Sequence, residues 1–212
     1  YFTTYNRTSK ENGLAMKEIK KKGIKKIAEG NYTFGNFMYS KGGKGKKPAF
    51  VYARGNNEEG NNLLASYDNF KTQKQMSDIN PQQREYNWGT VELVNWQTAD
   101  DIFCEGLLFK PEDFDPNKKY PVMIYFYEKN ANTLYRHRNP TPSRSTVNIP
   151  YFVSNGYVVF VPDVYFTDGH PGQSAMKSIM PGVEMLEKTY PWIDGENMAI
   201  QGQSWGGYQV AY

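Results

Sequence analysis

The strongest constraint in the sequence is the stretch Asn197-Met-Ala-Ile-Gln-Gly202-Gln203-Ser204-Trp205-Gly206-Gly207-Tyr208. The apolar run Met198 to Ile200 reads as a short buried strand. Gly-x-Ser-x-Gly follows it, and Tyr208 to Tyr212 reads as the start of a helix. Strand, sharp turn, helix is the context in which this five-residue pattern lifts a serine hydroxyl clear of a sheet. A serine on so tight a turn has strained backbone angles. Its neighbours must lack side chains so that strand and helix can close around it, which gives Gly202, Gly206 and Gly207 a physical reason. The pattern makes Ser204 a candidate nucleophile and the Trp205 N–H a candidate donor to a developing oxyanion. Gly-x-Ser-x-Gly alone arises by chance in a chain with 19 glycines; the flanking elements and the longer form Gly-Gln-Ser-Trp-Gly-Gly-Tyr carry the specificity.

That longer form, Gly202 to Tyr208, resembles the nucleophile motif of the prolyl oligopeptidase family of serine peptidases, and within it the dipeptidyl peptidase IV and acylaminoacyl peptidase branches. The resemblance implies an α/β-hydrolase domain paired with a β-propeller, and peptide substrates.

Composition restricts the alternatives. The 212 residues suffice for one large domain, or for one domain and part of another. Hydrophobic content of 39%, aromatic content of 16% and 17 tyrosines describe a folded, sheet-rich chain rather than a disordered one. A formal net charge of +3 is too small to argue for a nucleic-acid partner. No apolar run is long enough to span a membrane, and no leader is visible at Tyr1, although a longer precursor could have carried one. Cys104 is the single cysteine, which excludes an internal disulfide. No cofactor or metal is implied. The compartment stays open, with a periplasmic or secreted location favoured over a cytoplasmic one, and a homodimer also stays open.

Along the chain, two parts are expected: 1–85 as the last blade or blades of a propeller with a linker, and 86–212 as the N-terminal half of an α/β-hydrolase domain. Residues 1–47 are polar. The lysine-rich run Lys17 to Lys26 reads as a solvated surface or hairpin edge, because no aromatic residues interleave the charges. Gly42-Gly-Lys-Gly-Lys-Lys47 lacks the spacing of a phosphate-binding loop. Ala49 to Arg54 and Leu63 to Tyr67 read as strands around the turn cluster Gly55 to Asn62, and Lys71 to Met76 as a third strand. Short antiparallel strands of this kind suit a propeller blade or any β-meander. Dipeptidyl peptidases hold the substrate amino terminus with paired glutamates, but Glu58 and Glu59 lack that context and read as solvent-facing turn residues. Asn80 to Glu85 reads as a linker.

From Tyr86 the pattern changes. Thr90 to Trp96 and Ile102 to Phe109 alternate as half-buried strands, and Tyr120 to Tyr127 is a continuous apolar strand. Ile149 to Asn155 suggests a helix ended by Gly156, and Tyr157 to Pro162 another buried strand. A helix is expected from Pro181, in its first turn, to about Thr189. The strand that enters Ser204 comes next. The order matches the first half of an α/β-hydrolase sheet, with antiparallel, propeller-like strands before it.

The resemblance also assigns Tyr127. The dipeptidyl peptidase branch donates a tyrosine hydroxyl to the oxyanion from the end of the central strand, in a Tyr-Ala-Gly-Pro context. Here Tyr127 is followed by Glu128-Lys129-Asn130, so the tyrosine is kept and the glycine and proline are not. A buried aromatic is the alternative role for Tyr127. The family order is Ser, then Asp, then His. His137 and His170, the two histidines, both precede Ser204, as do Asp163 and Asp168, and none matches a family motif. His137 is expected on a solvent-exposed basic loop. The catalytic Asp and His are therefore expected beyond Tyr212, and these residues alone are expected to be inert.

Two classes of function compete. One is a serine peptidase working through an acyl-enzyme on Ser204, with Trp205 and Tyr127 as oxyanion donors. The other is a catalytically inactive peptide-binding homologue. An esterase with the same turn is a third, but it has no need of the β-rich region before Tyr86.

Overall fold

The structure, a computed structural model, describes residues 1–212. The chain divides into two compact units: Tyr1–Gln83 with Tyr135–His137, and Arg84–Leu134 with Arg138–Tyr212.

The first unit is antiparallel β-structure. β1 (Phe2–Tyr5), β2 (Asn12–Met16) and β3 (Lys25–Gly30) form one sheet; β4 (Thr33–Ser40), β5 (Ala49–Gly55), β6 (Asn62–Ser66) and the two-residue β7 (Lys74–Gln75) form another. Period-two alternation turns Phe50 and Tyr52 of β5 inward. They pack with Leu14, Leu64 and Phe70 in an aromatic core, the Phe50 and Phe70 rings 4.5 Å apart. The β5–β6 turn is held by the Asn56 side chain, which accepts the N–H of Glu58 at 2.9 Å and of Glu59 at 2.7 Å. Both glutamates are exposed, and so is every residue of the lysine-rich run 17–26.

One expectation fails in this unit. His137 is buried, not solvent-exposed, and its Nδ1 lies 3.2 Å from the Asn56 carbonyl. The basic residues on either side gave the impression of a solvated loop, but Tyr135–His137 folds with the first unit, and the Tyr135 hydroxyl donates to the Ser9 carbonyl at 3.3 Å.

A 3-10 turn over Pro81–Glu85 leads out of β-structure of the first unit along the chain. The second unit is built on a five-stranded sheet. Its elements are β8 (Thr90–Gln97), β9 (Phe103–Lys110), β10 (Tyr120–Phe126), α1 (Ile149–Ser154), β11 (Val158–Pro162), α2 (Pro171–Thr189), β12 (Ile193–Gly202) and α3 (Trp205–Ala211). The sheet order is β12-β10-β11-β9-β8. β10 runs parallel to β11 and β12, while β9 is antiparallel to β11 and β8. All of β11 is buried, as expected of a strand with neighbours on both sides and both faces covered. Trp96 anchors α2 to the sheet: its Nε1 donates to the Ser178 carbonyl at 2.8 Å and its ring meets Phe160 edge-on.

Two further expectations need correction. The second helix starts at Pro171, not Pro181, so Pro181 lies in its interior. The buried face of the first two turns is made of Gly172, Ser174, Ala175 and Ser178. These small residues hide the apolar period, and Pro171 takes the first-turn role that Pro181 was expected to fill. The strand entering Ser204 is also less buried than its apolar run implied. β12 stands at the end of the sheet order, and Ile200 is 51% exposed.

Candidate active site

The parallel strands β10, β11 and β12 end at the same edge of the sheet, at Phe126, Pro162 and Gly202. The register pairs Phe126 with Gly202. The chain therefore leaves β10 as Tyr127 beside the point where it leaves β12 as Gln203 and Ser204. Carboxyl-terminal strand edges are where open α/β sheets place their ligands.

Ser204 is exposed and stands at φ 54°, ψ −113°, between β12 and α3. A side chain costs energy at a positive φ of this kind, so a non-glycine residue held there is strained. The turn closes tightly. A Cβ at Gly202 would run into the Gly206 main chain, and one at Gly206 would run into the Phe126 carbonyl. At Gly207 a Cβ would approach no closer than 3.4 Å, to the Gly202 oxygen, so close approach requires glycine at 202 and 206 but not at 207. The Gly206 N–H donates to the Gln203 carbonyl at 2.9 Å, fixing the bend. Trp205 is the first residue of α3, where an amide has no partner within the helix. Its ring stacks on Tyr208 at 5.5 Å and lies 5.8 Å from Phe166.

Tyr127 is 36% exposed, so its side chain is not sealed in the core. Its main chain is held from α3, where the buried Gln209 donates from Nε2 to the Tyr127 carbonyl at 3.2 Å. A second hold comes from β11. Asp163, 3% exposed, follows the last residue of that strand, and its Oδ1 accepts the N–H groups of Asn130 at 2.5 Å and Ala131 at 2.9 Å. The Val164 N–H donates to the Glu128 carbonyl at 3.0 Å. Burial pushes the Asp163 carboxyl above the ordinary range; the two N–H donors pull it down, and the Glu105 charge adds to the rise. Burial, with the Asp163 charge, likewise pushes the Tyr165 hydroxyl up to about 12.

Sequence reasoning weighed Asp163 only as a triad member and passed over Gln209. A signal for the first was present, an acidic residue directly after an all-apolar strand. For Gln209 there was none, since its role depends on the approach of α3 to β10.

His170 and Asp168 are exposed residues of the loop before α2, and the His170 carbonyl accepts the Ser174 hydroxyl at 2.6 Å. His137 belongs to the first unit. No group of three or more His, Cys, Asp or Glu side chains is placed to hold a metal ion. Cys104 is buried, and burial pushes its thiol up to about 11.

No family model matches the chain. Dipeptidyl peptidase 8 of Mus musculus is 28% identical over 128 residues, covering 55% of this chain and 14% of its own length. The AtxE2 isopeptidase shares the fold at a TM-score of 0.67 and 14% identity, over 95% of this chain and 32% of its own. The acylaminoacyl peptidase of Pyrococcus horikoshii does so at a TM-score of 0.64 and 16% identity, over 93% and 31%. The chain thus spans about a seventh of the length of that curated relative and about a third of the solved chains. The chain is thus similar in sequence to dipeptidyl peptidases over about half of its length, and its fold is shared by an acylaminoacyl peptidase and a dipeptidyl peptidase 4.

Proposed function

We infer that the protein carrying this chain is a serine peptidase that cleaves peptide bonds through an acyl-enzyme on Ser204. The observation that carries the reading is the strained, exposed Ser204 at the carboxyl edge of a parallel sheet, next in register to the end of β10. In this reading the second unit is the first half of an α/β-hydrolase domain, and the antiparallel strands of 1–85 are the end of a propeller. The relatives named above are a dipeptidyl peptidase and an acylaminoacyl peptidase, which supports peptides as the substrate class.

The chemistry follows from the turn. Ser204 Oγ attacks the scissile carbonyl carbon, and a general base takes the hydroxyl proton as the C–O bond forms. Charge then collects on the carbonyl oxygen, where the Trp205 N–H and the Tyr127 hydroxyl donate to it. Collapse of the tetrahedral intermediate breaks the C–N bond; the amine leaves with a proton, and water releases the acyl group by the reverse route. The family order sets the Asp and His downstream of Ser204. Neither His137 nor His170 fits that order.

The test is direct. A fluorophosphonate should label Ser204 in the full-length protein, and Ser204→Ala should lose both the label and amide hydrolysis. Wild-type turnover of peptide amides by that variant would end the assignment.

A further inference from the structure

We propose that Asp163 is a positioning residue for the oxyanion site: its carboxylate fixes the loop after β10 and so sets where Tyr127 stands relative to Ser204. This rests on the assignment of Tyr127 and Ser204 above.

The segment after Tyr127 is Glu128-Lys129-Asn130, with no proline to stiffen the backbone. The polypeptide leaving β10 must be held by something else. The next element is a three-residue 3-10 turn, Ala131–Thr133, whose Asn130 cap makes no side-chain capping bond. Its leading N–H groups would be left without an acceptor inside the turn. Asp163 supplies one, with a single carboxylate oxygen taking both Asn130 and Ala131. The main-chain bond from Val164 to Glu128 closes the same connection one residue after Asp163 and two residues before Asn130. The end of β11 is thereby tied to Glu128, Asn130 and Ala131 of the loop after Tyr127, while Gln209 ties Tyr127 itself to α3.

Asp163 is suited to this. It is 3% exposed and directly follows a strand buried along its whole length, so its backbone is anchored in the core of the sheet. A short side chain adds little conformational freedom between that anchor and the loop. Burying a carboxyl here is unfavourable for the charge, which argues that the acceptor, rather than ion pairing, is what the position uses. An oxyanion donor must sit within a few tenths of an ångström of its working place, because its contribution depends on preorganisation. Hydrogen bonds one to four residues from Tyr127 can therefore act on turnover without touching substrate.

The experiment uses the full-length protein. Asp163→Asn keeps an oxygen acceptor at the same reach, and Asp163→Ala removes it. Deuterium exchange of the peptide spanning 127–134 should quicken by about tenfold or more in Asp163→Ala and stay near wild type in Asp163→Asn, because the acceptor of two hydrogen bonds is lost only in the former. In turnover, Asp163→Ala should lower kcat by roughly ten- to a hundredfold with KM little changed, since one oxyanion donor is worth about a hundred- to a thousandfold and would be misplaced rather than absent. Asp163→Asn should recover most of that loss. In a Tyr127→Phe background Asp163→Ala should cost little more, because both changes act through one hydroxyl.

Equal losses from Asp163→Ala with and without the Tyr127 hydroxyl would overturn the proposal. So would unchanged exchange in residues 127–134. Failure of wild type to take the fluorophosphonate at Ser204 would instead sink the peptidase reading, leaving the exchange result to decide whether Asp163 holds the loop.

Discussion

Gln209 of α3 donates from Nε2 to the main-chain carbonyl of Tyr127, 3.2 Å away. The helix that begins just after Ser204 thus grips the residue that follows β10. Gly206, one turn earlier in α3, lies against the Phe126 carbonyl with no room for a Cβ. The spacing between the proposed nucleophile and the proposed oxyanion donor is therefore set by contacts between main chains and one buried amide, not by long flexible side chains.

The first expected outcome follows from that spacing. Tyr127→Phe removes a hydroxyl from a ring that is 36% exposed, so little packing is lost. Turnover of a peptide amide should fall by about a hundred- to a thousandfold, with KM and melting temperature close to wild type. A large drop in melting temperature at unchanged kcat would make Tyr127 a packing residue.

Gly206 and Gly207 should respond differently. Gly206→Ala puts a methyl group into the Phe126 carbonyl, which can move only if β10 shifts, and should cost about 1–3 kcal/mol of stability along with activity. Gly207→Ala meets nothing closer than 3.4 Å and adds a better helix former. Thermal unfolding should show it neutral or up to about 1 kcal/mol more stable. Equal destabilisation by the two variants would contradict the geometry of the turn.

Ser204 carries strain that a glycine would release. At φ 54° a side chain costs about 1–3 kcal/mol, against roughly 0.5–1 kcal/mol for the added freedom of glycine in the unfolded chain. Ser204→Gly should therefore abolish labelling by a fluorophosphonate while raising stability by about 1 kcal/mol. Denaturant unfolding that found the variant less stable would mean the turn is not strained.

Asp163 makes the stability of the fold depend on pH. Burial raises its pKa in the folded chain above the ordinary carboxylate value, so the folded state holds that proton more tightly than the unfolded state. The resulting stability is fully present below the unfolded value of about 3.9 and is lost as pH rises through the higher folded value. Asp163→Asn has no such titration. Its stability relative to wild type should rise as pH increases across that window and level off above it, which unfolding at a series of pH values would show. A difference that shrinks as pH rises would assign the carboxylate a depressed pKa.

Much of the second unit could be read from residues alone because each element announces itself locally. The apolar run Tyr120 to Tyr127 can be little other than a strand, and the same holds for Tyr157 to Pro162, whose residues from Val158 onward form β11 and are all buried. The turn around Ser204 was legible because glycine at a close approach leaves a mark that does not depend on distant partners. What could not be read depends on contacts between segments far apart in the chain. The first two turns of α2 were hidden because small residues face Trp96 and the sheet, and a small buried residue looks like a surface one until its neighbour is known. His137 looked solvated among arginines, but it is buried against Asn56, 81 residues away in sequence. Ile200 looked buried because it is apolar, yet its exposure follows from the position of β12 in the strand order. Local chemistry by itself determined the strands, the sharp turn and its serine. Only the tertiary structure decided that Asp163 and Gln209 converge on the loop after β10, because a hydrogen bond across 33 or 82 residues leaves no periodic trace in sequence.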